Sequence, residues 1–225
     1  MNESLFSFLT ASRSLTPALF TFAYFLGAIP FGLLVARVFH VKNISTKGSG
    51  NIGATNVSRV AGFWPAGLIT FLLDFGKGFL ATFLATPVGV HSILTLLGSP
   101  DAGTFEAEEW IAWAAGFFAV LGHCFSPFFH FKGGKGVATT CGVMVLLAPI
   151  PAAFGILGFG LTFFHRRIAS LASIVGVVIL AAATLVLSPT GIHHGVGAAI
   201  LFLVLMRHEK NIDALLENRE PAFRK

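Results

Sequence analysis

Five apolar stretches of this chain read as membrane-crossing helices, which need about 20 residues each. They are 18–39, 67–88, 110–131, 168–187 and 192–206. Pro30 and Gly32 fall inside the first, where a membrane helix tolerates them. The second carries Asp74 and Lys77, three residues apart on one helix, so the two can neutralise each other as a structural clamp on the loops. Trp110 and Trp113 open the third as interfacial anchors. The stretch 137–164 reads either as one long span or as two short ones hinged at Pro149-Ile150-Pro151.

Charge decides between the two. With a hairpin the chain has seven spans, and Lys42, Lys47, Arg59, Lys132, Lys135, Arg166, Arg167 and the basic C-terminal tail all face the cytoplasm. The loop 89–109, which holds Asp101, Glu106, Glu108 and Glu109 without one Lys or Arg, faces out. A single span would reverse Arg166, Arg167 and the tail, against the positive-inside rule. The expected fold is therefore all-α: a polytopic membrane protein of seven transmembrane helices, N-terminus outside and C-terminus cytoplasmic. The first half of the hairpin, 137–148, would be only about 18 Å long. Its free N–H groups should then start near the interface and point toward any anion held there.

Composition agrees: 55% of residues are hydrophobic, 11% are charged and 25 are Phe, with a formal net charge of +5. The mean hydropathy is +0.81, which excludes a soluble globular domain. The start, 1–17, lacks a basic segment followed by an apolar run and a cleavage site, and reads as a short retained tail. Cys124 and Cys141 lie in apolar segments and read as packing residues, with no disulfide implied. No repeat or linker is visible, so a single domain covers 1–225.

Two glycine-rich, cationic strings carry the candidate chemistry. The first is Gly48-Ser49-Gly50-Asn51-Ile52-Gly53-Ala54-Thr55-Asn56, followed by Arg59; the second is Lys132-Gly133-Gly134-Lys135-Gly136. Glycines let backbone N–H groups turn inward around an anion, and Lys and Arg supply countercharge. Ala54 stands where a nucleotide-binding P-loop needs lysine, so that reading is weak. A plain connector has little use for Ser, two Asn, Thr and Arg packed so closely. Topology alone would need the lysines of the second string but not its glycines. Ser170 and Ser173 open the sixth span. His208 and Asn211 share one face of an amphipathic tail, and Ile212, Leu215 and Leu216 share a neighbouring apolar face suited to the bilayer surface. His91, His193 and His194 fall on the outer side, away from the motifs.

The strings GSGNIGATNVSR, LLDFGKG, GHCFSPFFHFKGGKGVATTCG, RIASLASI and RHEKNIDALLENRE, in this order over 26–220, resemble the bacterial membrane glycerol-3-phosphate acyltransferases that use acyl phosphate, the PlsY family. The resemblance implies a multi-pass enzyme of the bacterial inner membrane with its active site on the cytoplasmic face. It would transfer a fatty acyl group from acyl phosphate to the 1-position of glycerol 3-phosphate, giving lysophosphatidic acid and phosphate, the first step of phospholipid biosynthesis. It also implies that the first loop (Gly48, Gly50, Asn51, Gly53, Ala54, Thr55, Asn56) wraps the donor phosphate, with Ser49 and Arg59 in the catalytic site. Lys135 matches the glycerol-3-phosphate lysine within Lys132, Gly133, Gly134 and Gly136. Ser170, His208 and Asn211 match further polar contacts, and Glu220 an acidic residue of the third motif. Two departures stand out: Asn218 replaces the usual Gly two residues before Glu220, and Ser126 separates Phe125 from Pro127. Asn tolerates left-handed backbone angles best after Gly.

Acyl phosphate is a mixed anhydride and already activated, so direct transfer without an acyl-enzyme, metal or other cofactor is expected. The hydroxyl proton would go to a substrate phosphate oxygen or to His208. Partners are the two substrates and membrane lipid, with an upstream acyl-phosphate-forming enzyme and no nucleic acid. A transporter for organic phosphates is the rival reading, but it would show inverted repeats and polar groups near the midplane. The topology is testable with single cysteines at Glu108 and Asn218. An impermeant thiol reagent should label them from opposite sides, and equal labelling from outside would overturn seven spans.

Overall fold

The computed structural model describes residues 3–96, 109–188 and 191–223, without the side chains of 3–15 and Leu94. Among them the chain forms eleven α-helices and no strand: α1 (Glu3–Ala28), α2 (Phe31–Val38), α3 (Ala54–Ala61), α4 (Leu68–Leu84), α5 (Pro87–Leu96), α6 (Glu109–Cys124), α7 (Val137–Leu147), α8 (Pro149–Arg166), α9 (Ala169–Leu187), α10 (Ile192–Arg207) and α11 (Glu209–Leu216). Four stretches of the described residues are long and apolar enough to cross a membrane: Thr16–Val38, Phe63–Leu84, Glu109–Phe129 and Ala169–Leu187. Val137–Leu147 and Ile192–Arg207 are shorter apolar helices. Asp101, Glu106, Glu108, Arg224 and Lys225 lie outside the described residues.

The helices hold their expected order, with five corrections at their ends. Residues 3–17, expected as a tail, belong to α1. The first span is not continuous. Pro30 lacks an N–H and its ring crowds the preceding turn, so α1 stops at Ala28 and α2 restarts at Phe31. The second span ends at Leu84, and Pro87 opens a separate helix where an outer loop was expected. The third ends at Cys124, ahead of Pro127. The hinge between α7 and α8 is Ala148 alone, because Pro149 and Pro151 fit the first turn of α8, where their missing N–H groups cost nothing.

Small residues set the packing. On α1 and α6, a Cβ at Gly27 would lie 2.1 Å from the Ala119 carbonyl oxygen, and one at Gly122 would lie 2.0 Å from that of Tyr24. Gly78 and Gly142 do the same for α4 against α7. Such backbone approach lets helices pack closely where lipid offers no hydrophobic drive between them. One apolar core joins α6, α7, α9 and α10 around Trp113, Val143, Met144, Leu180 and Ile200. A second joins α1, α4 and α6. A third lies under α2, α3 and the loop between them.

The break at Pro30 frees backbone carbonyls inside the bundle. Lys77 on α4 donates to the Ile29 carbonyl at 2.8 Å, and Ser126 donates to that of Ala28 at 2.6 Å. Lys77 Nζ also lies 2.8 Å from Asp74 Oδ1, with both side chains buried. The pair thus clamps the interrupted helix as well. Lys77→Met should leave a buried carboxylate unpaired and cost about 3–5 kcal/mol. Thermal unfolding in detergent should show a lower midpoint, with part of the loss recovered when Asp74→Asn is added.

Candidate active site

A cavity of about 400 Å³ opens among α3, α4, α7, α8, α9 and the start of α11. Of the residues expected in the site, Ser49, Asn51, Gly53, Ala54, Thr55, Asn56, Arg59, Lys135, Gly136, Ser170, His208, Asn211 and Glu220 line it. Gly48, Gly50, Lys132, Gly133 and Gly134 do not. The opposite wall is apolar, with Phe71 and Phe75 from α4, Met144 from α7, Ile156 and Phe159 from α8, and Leu180 from α9.

The first loop is fastened from within. The buried Asn56 side chain accepts the Ser49 N–H at 2.8 Å. Its amide donates to the carbonyls of Lys47 (2.9 Å) and Asn51 (2.8 Å). A Cβ at Gly48 would lie 2.2 Å from Asn56 Oδ1, and the chain turns there with φ of +58°. Asn51 Oδ1 accepts the Gly53 N–H at 2.8 Å. Asn56 was expected to donate to an anion; its donors are already occupied by the loop. The backbone bonds of α3 begin with Asn56 and Val57 N–H to the Gly53 carbonyl, so the N–H groups of Ala54 and Thr55 have no helical partner at the cavity wall.

The second loop is also pinned, and here the expectation is corrected. The N–H groups of Gly133 and Gly134 do not turn toward an anion. They bond the carbonyls of Cys124 (3.1 Å) and His123 (3.0 Å) at the end of α6. A Cβ at Gly133 would come within 2.0 Å of the His123 oxygen, and one at Gly134 within 2.1 Å of its Nε2, so these glycines serve close packing. The carbonyls of the same residues accept Arg207 Nη2 at 2.7 Å and Nε at 3.0 Å. Arg207 was read only as part of the basic tail, yet it clamps the loop bidentately. Gly136 turns in the left-handed region (φ +84°) and caps α7, whose first bond runs from Thr140 N–H to the Gly136 carbonyl. The unpaired N–H groups of the first turn, at Val137 and Ala138, therefore open on the cavity.

Two helix N-termini and two long cations thus meet in one space. Burial, together with Arg59 and Arg207, lowers Lys135 to about 8 against the opposing pull of Glu220. His208 is buried and pushed down to about 4, first by burial and then by Lys135. Its Nδ1 lies 2.8 Å from the Val204 carbonyl, an acceptor, so Nδ1 carries the hydrogen. Nε2 is left as a neutral acceptor. Glu220 Oε1 accepts Ser170 Oγ at 2.5 Å and Asn211 Nδ2 at 2.8 Å. The turn before it needs φ of +55° at Asn218, which the substitution for Gly allows.

Asp74 and His123 also line the cavity, a role the sequence reading did not give them. His123 Nδ1 lies 3.5 Å from Asp74 Oδ1 and 3.1 Å from Thr139 Oγ1 on the first turn of α7. The intramembrane charge at Asp74 was the available signal. Cys124 is buried in the core and Cys141 is half-buried; both are free thiols. His193, set aside as an outer residue, pairs with Glu109 at 2.9 Å.

The family model for glycerol-3-phosphate acyltransferase matches residues 17–218. The chain belongs to the PlsY family. A glycerol-3-phosphate acyltransferase of Jannaschia sp. is 42% identical over 206 residues, 90% of each chain. One of Aquifex aeolicus is 38% identical, over 90% of this chain and 96% of its own. A crystal structure of PlsY (YgiH), an integral membrane glycerol 3-phosphate acyltransferase in its glycerol 3-phosphate form, superposes with a TM-score of 0.80 at 35% identity, covering 93% of this chain and 96% of that one. The lysophosphatidic acid form gives 0.78. The PlsY membership is therefore shared by sequence and fold.

A phosphate monoester is a dianion above pH 7, its second pKa being about 6, so between pH 7 and 9.5 its own charge is constant while Lys135 titrates. Its ammonium is present below about 8 and lost above. Phosphate-monoester affinity measured by calorimetry should fall about tenfold per pH unit beyond that point, and Lys135→Arg should abolish the fall. A flat profile in the parent protein would show that Lys135 does not hold the anion.

Proposed function

We propose that this protein is a membrane acyltransferase that moves a fatty acyl group from acyl phosphate to the 1-hydroxyl of glycerol 3-phosphate. The products are lysophosphatidic acid and inorganic phosphate. The carrying observation is that two helix N-termini, each beside a long cation, share one cavity with a long apolar wall. Two phosphates and one hydrocarbon tail need that combination. The glycerol 3-phosphate and lysophosphatidic acid forms of the similar crystal structures fit the acceptor substrate and the product of this reaction.

On this reading Ser49, Arg59 and the amides of Ala54 and Thr55 take the phosphate of the acyl donor. Its chain lies along Phe71, Phe75, Met144 and Ile156. Lys135, the N-terminus of α7, Ser170 and Asn211 take glycerol 3-phosphate. The 1-hydroxyl oxygen attacks the acyl carbonyl carbon, the bond from that carbon to the phosphate oxygen breaks, and phosphate departs. Arg59 and the amides stabilise the charge that develops on it. A substrate phosphate oxygen takes the hydroxyl proton. With its pKa held near 4, His208 is too weak a base for that transfer near neutral pH; its Nε2 is left to accept a hydrogen bond from another donor on the substrate. Seven crossings with the N-terminus outside would put these groups on the cytoplasmic face of the inner membrane. A membrane-associated enzyme that forms acyl phosphate would supply the donor there.

The test is purified protein in detergent with acyl phosphate and glycerol 3-phosphate. Phosphate and lysophosphatidic acid should appear in equal amounts, with acyl-CoA inactive as donor. Lys135→Ala should raise the KM for glycerol 3-phosphate about 10- to 100-fold, the value of one charge-assisted hydrogen bond. Robust transfer from acyl-CoA in the absence of acyl phosphate would sink the proposal.

A further inference from the structure

Beyond α11 the chain does not run off into solvent; it returns across the cavity and fastens to elements from both sides of it. Glu220 bonds Ser170 of α9 and Asn211 of α11. The Pro221 carbonyl accepts Arg59 Nη2 of α3 at 3.0 Å. The Phe223 ring lies under the same guanidinium, 4.8 Å from centroid to Cζ. Its own place is fixed twice: its N–H donates to the Arg167 carbonyl at 2.7 Å, and its ring meets the edge of Phe163 at 5.6 Å. Pro221 and Phe223 lie outside every motif of the sequence.

We propose that the strap 220–223 belongs to the active site, with Pro221 and Phe223 as positioning residues that hold the Arg59 guanidinium ready for the phosphate of the acyl donor. The inference rests on the function proposed above. Arginine brings many rotamers, and ordering them only when substrate arrives would weaken binding. Here one face of the guanidinium plane rests on an aromatic ring, and one of five N–H donors is engaged by Pro221. Arg59 lines the cavity, and its guanidinium has donors beyond the one that Pro221 engages. Glu220 adds an opposite charge nearby, and its two hydrogen bonds anchor the strap so that Phe223 falls where Arg59 ends.

The decisive comparison is Phe223→Leu with Phe223→Trp, each in the parent and in Arg59→Lys. Leucine keeps apolar packing on Phe163 but removes the π face. Phe223→Leu should lower kcat/KM for acyl phosphate about 5-fold, with the KM for glycerol 3-phosphate within about twofold and the melting temperature unchanged. Phe223→Trp should restore the parent value, and in Arg59→Lys the leucine should add less than about twofold. Parent-like kinetics for Phe223→Leu would overturn the proposal. So would an equal rise in both KM values without rescue by tryptophan, since that marks a structural strap. The same six proteins, parent and Arg59→Lys included, are titrated with inorganic phosphate. If the parent shows no transfer, the functional reading fails by itself. An Arg59-dependent loss of phosphate affinity in Phe223→Leu would then still support the strap, and its absence would overturn it.

Discussion

Lys77 answers a backbone carbonyl that Pro30 has freed inside an apolar bundle, and much of the architecture follows from that one contact. Lipid offers no hydrogen bonds, so a break in a membrane helix persists only where protein groups satisfy it. The Ile29 carbonyl takes Lys77, and the charge this brings into the bundle requires Asp74 three residues away. Asp74 in turn lies beside His123, whose carbonyl pins Gly134 and whose ring meets Thr139 at the start of α7. A clamp on a broken helix is thereby continuous with the loop that presents Lys135. An isolated charge pair in a membrane helix would be a cost; this one joins α1, α4, α6 and α7.

The two glycine-rich loops share a construction that differs from a flexible cradle. Their inner amides and carbonyls are satisfied by protein: Asn56 in the first, and the α6 carbonyls and Arg207 in the second. What remains for a ligand is the first turn of a helix and one long cation in each case. Fixed dipoles and fixed charge need little reorganisation when an anion binds, which is the condition for stabilising a departing phosphate. Binding by mobile amides would consume part of that gain in ordering the loop.

The helices were legible because apolar runs and positive charge leave strong signals, and α9 and α10 fall within one residue of their expected bounds. Their ends were not, because proline at 30, 87 and 149 acts through local sterics that a hydropathy run averages away. Most of the site was legible as motifs. What pattern could not supply was direction. Gly133 and Gly134 look the same in sequence whether their amides face an anion or the end of α6. Arg207 sits in a basic tail where topology already explains a positive charge. Phe223 has no periodicity and no motif, and its meaning arises only because the chain folds back onto Arg59. Asn218, by contrast, was readable from the resemblance, which puts Gly there, together with backbone preference.

On the proposed function a carboxylate beside the phosphates needs a reason, since Glu220 would repel what Lys135 and Arg59 attract. Its hydrogen bonds account for one part, holding Ser170 and Asn211 in place. The larger part is electrostatic. Burial, Arg59 and Arg207 all push Lys135 toward its neutral form, and Glu220 is the group that pushes back. With the balance near 8, the lysine stays charged at neutral pH before any phosphate arrives. Lys135 also helps keep His208 neutral, so the imidazole remains a hydrogen-bond acceptor beside a cation. One acid thus maintains the charge on the lysine, and the lysine maintains the neutrality of the histidine. The polar end of the cavity works as a coupled set in which the repulsive member keeps the attractive one ionised.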